Sequence, residues 1–189
     1  MDNPMSLEDR VIIITGAAQG VGRGVAKKAG SLGAKLVLID LNGEGAQETA
    51  DMIDGDVTVY TGSVAEPGFV QQTVADVIEK HGRINGLFNN AGIIRTAMIH
   101  NMSVADWQAV IDVNLTGVFH CLQAVGRHMI ERAKEGDDSP NRIVNVSSVA
   151  GRKGTIGQIN YGAAKSGVLG ITMSAVREWA RYGVCVNSV

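Results

Sequence analysis

Cysteine is scarce: the 189-residue chain has two, Cys121 and Cys185, both in apolar stretches. Thiols so placed read as buried and free, not as a bridge or a metal site, and they suit a reducing, cytoplasmic compartment. Histidine is also sparse, with four residues at no metal-ligand spacing. His120 and His128 share one helix and read as surface or packing residues, so no metal is expected. Neither sign of charge dominates, because 17 Lys and Arg against 19 Asp and Glu leave a formal net charge of −2. That balance argues against nucleic acid or an anionic membrane as partner. No apolar run approaches the ~18 residues of a membrane span. The first residues carry Asp2, Glu8 and Asp9 where a signal peptide would be apolar. There is no internal repeat, and the polar stretch 134–141 reads as an exposed loop inside one domain.

What is present is a regular alternation. Apolar residues make up 45% of the chain, enough for one sizeable core. Strands begin near residues 11, 35, 56, 85, 142 and 184, and helices fill roughly 20–32, 43–53, 66–80, 103–133 and 160–182. Strands alternating with helices predict parallel pairing and right-handed crossovers. The expected fold is α/β: a doubly wound parallel sheet in three αβα layers, one dinucleotide-binding Rossmann domain over residues 1–189.

The first strand, Val11-Ile12-Ile13-Ile14, runs into Thr15-Gly16-Ala17-Ala18-Gln19-Gly20-Val21-Gly22. Glycines there let the backbone approach a pyrophosphate, and the following helix offers its N-terminal amides to the charge. Taken alone, such a turn is equally a tight strand–helix connection. A second strand, Lys35 to Ile39, ends at Asp40. A carboxylate about twenty residues after the glycines suits the two hydroxyls of an adenosine ribose and repels a 2′-phosphate. No Lys or Arg stands at Ala18, Gln19, Leu41 or Asn42. The electrostatics therefore favour NAD over NADP.

Tyr161 and Lys165 lie four residues apart in an Ala-rich helical stretch, and Ser148 precedes the tyrosine by thirteen. Residues at i and i+4 share a helix face, so phenol and ammonium point into one space. A free phenol, with a pKa near ~10, is a poor base at neutral pH. A fixed positive charge beside it favours the phenolate. Without further context the pair also reads as an ordinary solvated helix face.

Together these motifs resemble the short-chain dehydrogenase/reductase family. Asn89-Asn90-Ala91-Gly92 after the strand Gly86-Leu87-Phe88, and Asn114 inside a long helix, add to the match, which covers nearly all of residues 7–189. The resemblance implies reversible hydride transfer between NAD(H) and a secondary alcohol or ketone. It implies Tyr161 as general acid/base, with Lys165 lowering its pKa and holding the nicotinamide ribose. It gives Ser148 as hydrogen-bond donor to the reacting oxygen. The choice of Ser148 over its neighbour Ser147 rests on the resemblance alone. Asn114 would hold a water linked to Lys165, or else cap a helix bend near Gly117. The cofactor set so implied is Gly16, Gln19, Gly20, Val21, Gly22, Asp40, Leu41, Val64, Asn90, Ala91 and Gly92, with Tyr161 and Lys165; Asn89 reads as structural. Ile94, Arg95, Val149, Thr155, Ile156 and Gln158 would face a substrate whose identity they leave open.

Two departures accompany the match. Ser63 stands where the family often has Asp for the adenine amino group. The chain stops at Val189, where the family pattern continues with a Pro-Gly turn, a substrate loop and a last strand. The expected sheet therefore lacks those parts, and a dinucleotide-binding or interaction subunit without turnover is the alternative reading. A homotetramer or homodimer is implied through the two long helices. Gly162, Ala163, Gly167 and Gly170 would allow close approach, and Val113, Phe119, Leu122, Val125 and Met129 form more than one apolar stripe.

Overall fold

A computed structural model describes residues 4–189; Asp2 lies outside them. Six strands, β1 (Val11–Thr15), β2 (Lys35–Asp40), β3 (Val57–Thr61), β4 (Gly86–Asn89), β5 (Asn141–Asn145) and β6 (Val184–Ser188), form one sheet. Their order is β3-β2-β1-β4-β5-β6, and every pair is parallel. The chain winds outward from β1 to β3, then crosses to β4 on the other side. The C-terminal ends of β1 and β4 thus form the switch point at which doubly wound sheets bind ligands.

Seven α-helices cover the two faces: α1 (Gly20–Gly30), α2 (Gly43–Asp51), α3 (Pro67–His81), α4 (Val104–Ile111), α5 (Gly117–Lys134), α6 (Val149–Lys153) and α7 (Ile159–Trp179). Successive strand residues point to opposite sides; both sides of β1 and β2 are covered, whereas one side of β5 and β6 is open at Arg142, Cys185 and Asn187. Ile14, Leu36 and Leu38 join Ala26, Ala29 and Ala50 beneath α1 and α2. Ile13, Val37, Ile39, Leu87 and Ile143 join Val74, Leu122, Val125 and Met129 under α3 and α5. Burial on both faces of β1 and β2 explains why those two strands read as continuous apolar runs.

Three expectations are corrected. The helix expected over 103–133 is not continuous: a π-helical turn, Asp112–Thr116, separates α4 from α5. The short helix α6 has no counterpart among the expected elements, and Ser148 is its N-cap residue. Cys121 is buried, but Cys185 is exposed on β6. Among the described residues, Val104–Lys134 is the one helical stretch long and apolar enough to cross a membrane. In the fold its Val110, Val118, Leu122, Val125 and Met129 lie against the protein's own interior.

At the opposite end of the sheet, His128 is buried and its Nε2 accepts the Ile84 N–H at 3.3 Å. Arg132 donates to the Ile84 carbonyl at 2.9 Å and pairs with Asp137. Burial, then the Arg132 charge, push the imidazole below its ordinary value, against Glu131, Glu135 and Asp137. A histidine held neutral in the fold contributes stability that is complete above its unfolded value and is lost as pH falls below it. Urea midpoints should therefore drop between pH ~7 and ~5, and His128→Gln should flatten that slope. An unchanged slope in the variant assigns the effect to other groups, His81 among them.

Candidate active site

The turn between β1 and α1 is closed by two side chains, Thr15 and Asn90. Gly16 adopts φ +67°, a region open to glycine. A Cβ there would stand 2.8 Å from the Ala91 Cα, and one on Gly22 would stand 2.0 Å from the Gly16 carbonyl oxygen. The Thr15 hydroxyl accepts the N–H groups of Asn90 and Ala91, both at 3.0 Å. The Asn90 amide donates to the carbonyls of Thr15 and Gly16 at 3.1 and 3.0 Å. The ends of β1 and β4 are thus stapled together without a bulky side chain between them.

A cavity of about 430 Å³ opens on this staple. It is lined by Gly16, Gln19, Val21, Asp40, Leu41, Ser63, Val64, Asn90, Ala91 and Gly92, among others. Most of the expected cofactor set therefore comes together. Gly20, Gly22, Tyr161 and Lys165 do not line this cavity; Gly22 is buried under the turn. Asn89 points inward, its amide donating to Asn145 Oδ1 at 2.9 Å, which supports its reading as structural. The Asp40 carboxylate is held at both oxygens by the N–H groups of Ala18 and Asn42, each at 2.9 Å. Arg23 is a nearby cation that no sequence motif singles out. Its guanidinium is spent on the carbonyls of Ala18 and Gly45, on Thr49 and on Glu48.

A cradle made of glycine backbone, with a fixed carboxylate at its rim, fits a dinucleotide. Gly16 and Gly22 admit no Cβ because it would strike Ala91 and the Gly16 carbonyl, so the turn closes tightly and α1 can present its free N–H groups to a pyrophosphate. Ser63 lines the cavity in place of the family's Asp, and its hydroxyl accepts the Ala65 N–H at 3.2 Å.

Beyond β5 the two serines divide. Ser147 donates its hydroxyl to the Lys165 carbonyl at 2.8 Å. Ser148 instead accepts the Ala150 N–H at 3.2 Å, so its own O–H proton stays available to donate. Here is a physical reason to prefer Ser148, which the sequence could not supply. Lys165 is 2% exposed, and its Nζ donates to the Val146 carbonyl at 2.7 Å. Its Nζ lies 5.7 Å from the centre of the half-buried Tyr161 ring. Burial pushes the ammonium down to about 8. Asn114 is fully buried in the π turn, and its amide clasps both backbone groups of Ile93, at 2.8 and 3.0 Å.

On the outer side, a groove of about 610 Å³ brings together Thr155, Ile156 and Gln158 with Met98, Ile99 and Ile159. Ile94, Arg95 and Val149, expected beside them, do not line it. Met98 and Ile99 carry no motif, so only the fold could place them.

The profile of the short chain dehydrogenase family matches residues 10–189. The 3-oxoacyl-[acyl-carrier-protein] reductase of Synechocystis sp. is 40% identical over 188 residues, which are 97% of this chain and 74% of that protein. The D-threitol dehydrogenase of Mycolicibacterium smegmatis is 34% identical, over 100% of this chain and 72% of its own. The crystal structure of levodione reductase superposes with a TM-score of 0.90 at 34% identity, covering 96% of this chain and 70% of that one. Fold, glycine cradle and sequence agree: the chain belongs to the short chain dehydrogenase family, oxidoreductases that work with a nicotinamide cofactor.

Proposed function

We propose that this protein transfers a hydride between NAD(H) and a secondary alcohol or ketone, with Tyr161 as the acid/base. The observation that carries the reading is the separation of the two serines. Ser147 is spent on the helix that bears Tyr161 and Lys165, and Ser148 retains a free donor. Bound nicotinamide supplies the hydride acceptor or donor. In the reducing direction the Tyr161 hydroxyl gives its proton to the carbonyl oxygen, and the Ser148 hydroxyl hydrogen-bonds the same oxygen. Proton transfer by a placed group contributes roughly 10²–10⁴ in rate. Lys165 uses one N–H on Val146 and keeps two for ribose hydroxyls. Its charge is present below pH about 8 and lost above it. Asn114 serves this site by fixing Ile93, which takes one lone pair of its Oδ1 and one proton of its Nδ2 and leaves one of each for a water. Turnover tests the reading: oxidation of NADH with acetoacetyl-CoA, cyclohexanone and a ketose as probes. Failure of all three, with NADH bound, rejects it.

Asp40 carries the preference for NAD. Both of its oxygens are fixed by backbone donors, and Arg23 is committed elsewhere. No free cation among the described residues of the cavity therefore waits for a 2′-phosphate. NAD should bind at least ~10-fold more tightly than NADP, and Asp40→Ala with Leu41→Arg should reverse the order. Titration of both cofactors by fluorescence decides it; equal binding to the parent protein rejects the assignment.

The same reading has the protein as a homo-oligomer, cytoplasmic, with small-molecule substrates and without nucleic-acid or membrane partners. Gly162 and Gly167 admit the Ala150 carbonyl and the Leu115 side chain of the same chain, and Leu122, Val125 and Met129 are core. What faces outward is Phe119, Met173 and Val176, which are 45%, 63% and 39% exposed. An apolar surface spanning α5 and α7 supports a symmetric partner. Light scattering at micromolar concentration should return two or four chain masses. A single chain mass that does not change on concentration would refute assembly.

A further inference from the structure

Asn160 precedes the proposed acid/base and is fully buried in the first turn of α7. A buried polar side chain there needs partners, and it finds them chiefly in backbone groups of functional segments. Its Oδ1 accepts the Tyr161 N–H at 2.8 Å. Its Nδ2 donates to the Arg95 carbonyl and to the Asp106 carbonyl of α4, each at 3.1 Å. The helix has no side-chain bond from its N-cap residue, Gln158. The Asn160 amide therefore satisfies one of the N–H groups that a helix start leaves free.

Arg95 belongs to the segment 91–98 that leaves β4. Beyond Ala91, which the Thr15 hydroxyl holds, that segment is fastened at three places. Asn114 clasps Ile93, Asn160 takes Arg95, and Ala97 donates to the Gly157 carbonyl at 3.0 Å. Its first residues, Ala91, Gly92 and Ile93, line the cofactor cavity. Two of its three fastenings come from residues 157–160, directly before Tyr161. One amide therefore joins this segment, two residues beyond the last position that lines the cavity, to the residue that bears the phenol.

We infer that Asn160 is a positioning residue that sets where the Tyr161 ring stands relative to the cofactor wall. The inference rests on the reading of Tyr161 above. The lateral placement of the ring follows from α7, which Ser147 and the buried Asn145–Thr172 pair hold against β5. What Asn160 adds is the distance from ring to wall, fixed by one planar group that donates on one side and accepts on the other. Proton transfer tolerates little error in that distance, and a displacement near ~1 Å costs about 10²-fold.

Asn160→Ala and Asn160→Ser, each with and without Tyr161→Phe, test this, with NADH as reductant for turnover and NAD for the binding and absorbance measurements. Serine keeps a hydroxyl that both accepts and donates. Asn160→Ala should retain NAD affinity within about threefold and lose roughly 10² in kcat on acetoacetyl-CoA, with KM little changed, and Asn160→Ser should recover part of the loss. A second readout needs no turnover. The phenolate absorbance of Tyr161 is taken as the difference between each protein and the same protein carrying Tyr161→Phe. It should titrate at a different pH in Asn160→Ala than in the parent. Lys165 is the charged group beside that ring, so a moved ring changes its field. A lower melting temperature with unchanged kcat and unchanged phenolate titration would overturn the inference and leave Asn160 a packing residue. If Asn160→Ala does not fold, the same two readouts on Asn160→Ser decide. If Tyr161→Phe is as active as the parent, the reading of Tyr161 fails, whereas an inactive Tyr161→Phe beside an unaffected Asn160→Ala rejects only the positioning role.

Discussion

Tyr161→Phe should reduce turnover by at least ~10³ while NAD affinity stays within a few-fold. The ring remains against Lys165, its centre 5.7 Å from the Nζ in the parent, so packing and the ammonium are undisturbed. Only the hydroxyl is removed, and with it the proton that the carbonyl oxygen needs. Ser148→Ala removes a donor and no proton carrier, so its loss should be smaller, on the order of 10²–10³. Ser147→Ala makes the contrast sharper. That hydroxyl holds the Lys165 carbonyl, and its loss should lower stability by about 1–3 kcal/mol with a minor effect on the chemical step. Single-turnover reduction of acetoacetyl-CoA by NADH separates the three. Equal losses at Ser147 and Ser148 would remove the basis for assigning them different tasks.

Gly22→Ala should abolish cofactor binding, by ~10²-fold or more, and destabilise the fold by roughly 1–3 kcal/mol. The added methyl would stand 2.0 Å from the Gly16 carbonyl oxygen, a backbone atom that cannot rotate away. Relief requires α1 to draw back from the turn, and α1 carries the N–H groups that meet the pyrophosphate. Gly24→Ala is the matched control: it lies in the same helix with open space around the added methyl, and should bind NAD normally and be no less stable. Calorimetry of NAD binding with thermal melts checks both. Wild-type affinity in Gly22→Ala would show that the turn relaxes at little cost.

Much of the fold is legible in the sequence because each strand is an apolar run bounded by turn residues. The glycine turn and Asp40 follow from local chemistry, and both line the cavity. The parts that stay hidden depend on contacts between distant segments. The π turn follows from Asn114 reaching Ile93, 21 residues away. The commitment of Arg23 to Glu48 spans 25 residues, and the division of labour between Ser147 and Ser148 depends on where α7 passes. Cys185 misleads because apolar neighbours on a short strand do not say which side of it is covered. Asn160 carries no pattern, since a polar residue beside a catalytic tyrosine looks the same whether it faces water or backbone.

The π turn also sets the chain's tolerance to changes in length. Such a turn holds one residue more than α-helical winding would use. Deleting one residue within 112–116 would let α4 and α5 merge into a regular helix, which removes the local irregularity. The same deletion leaves the flanking helices in nearly the same phase, because a π turn spreads its extra residue over about one turn. Val110 and the row Val118, Leu122 and Val125 would therefore stay in the interior, and the loss would fall on the turn that directs Asn114 inward. The irregular winding thus directs Asn114 inward while both apolar rows keep to one core. An alignment gap placed in this segment would mark a lost π turn, with the helices on either side still in phase, and not a shortened loop.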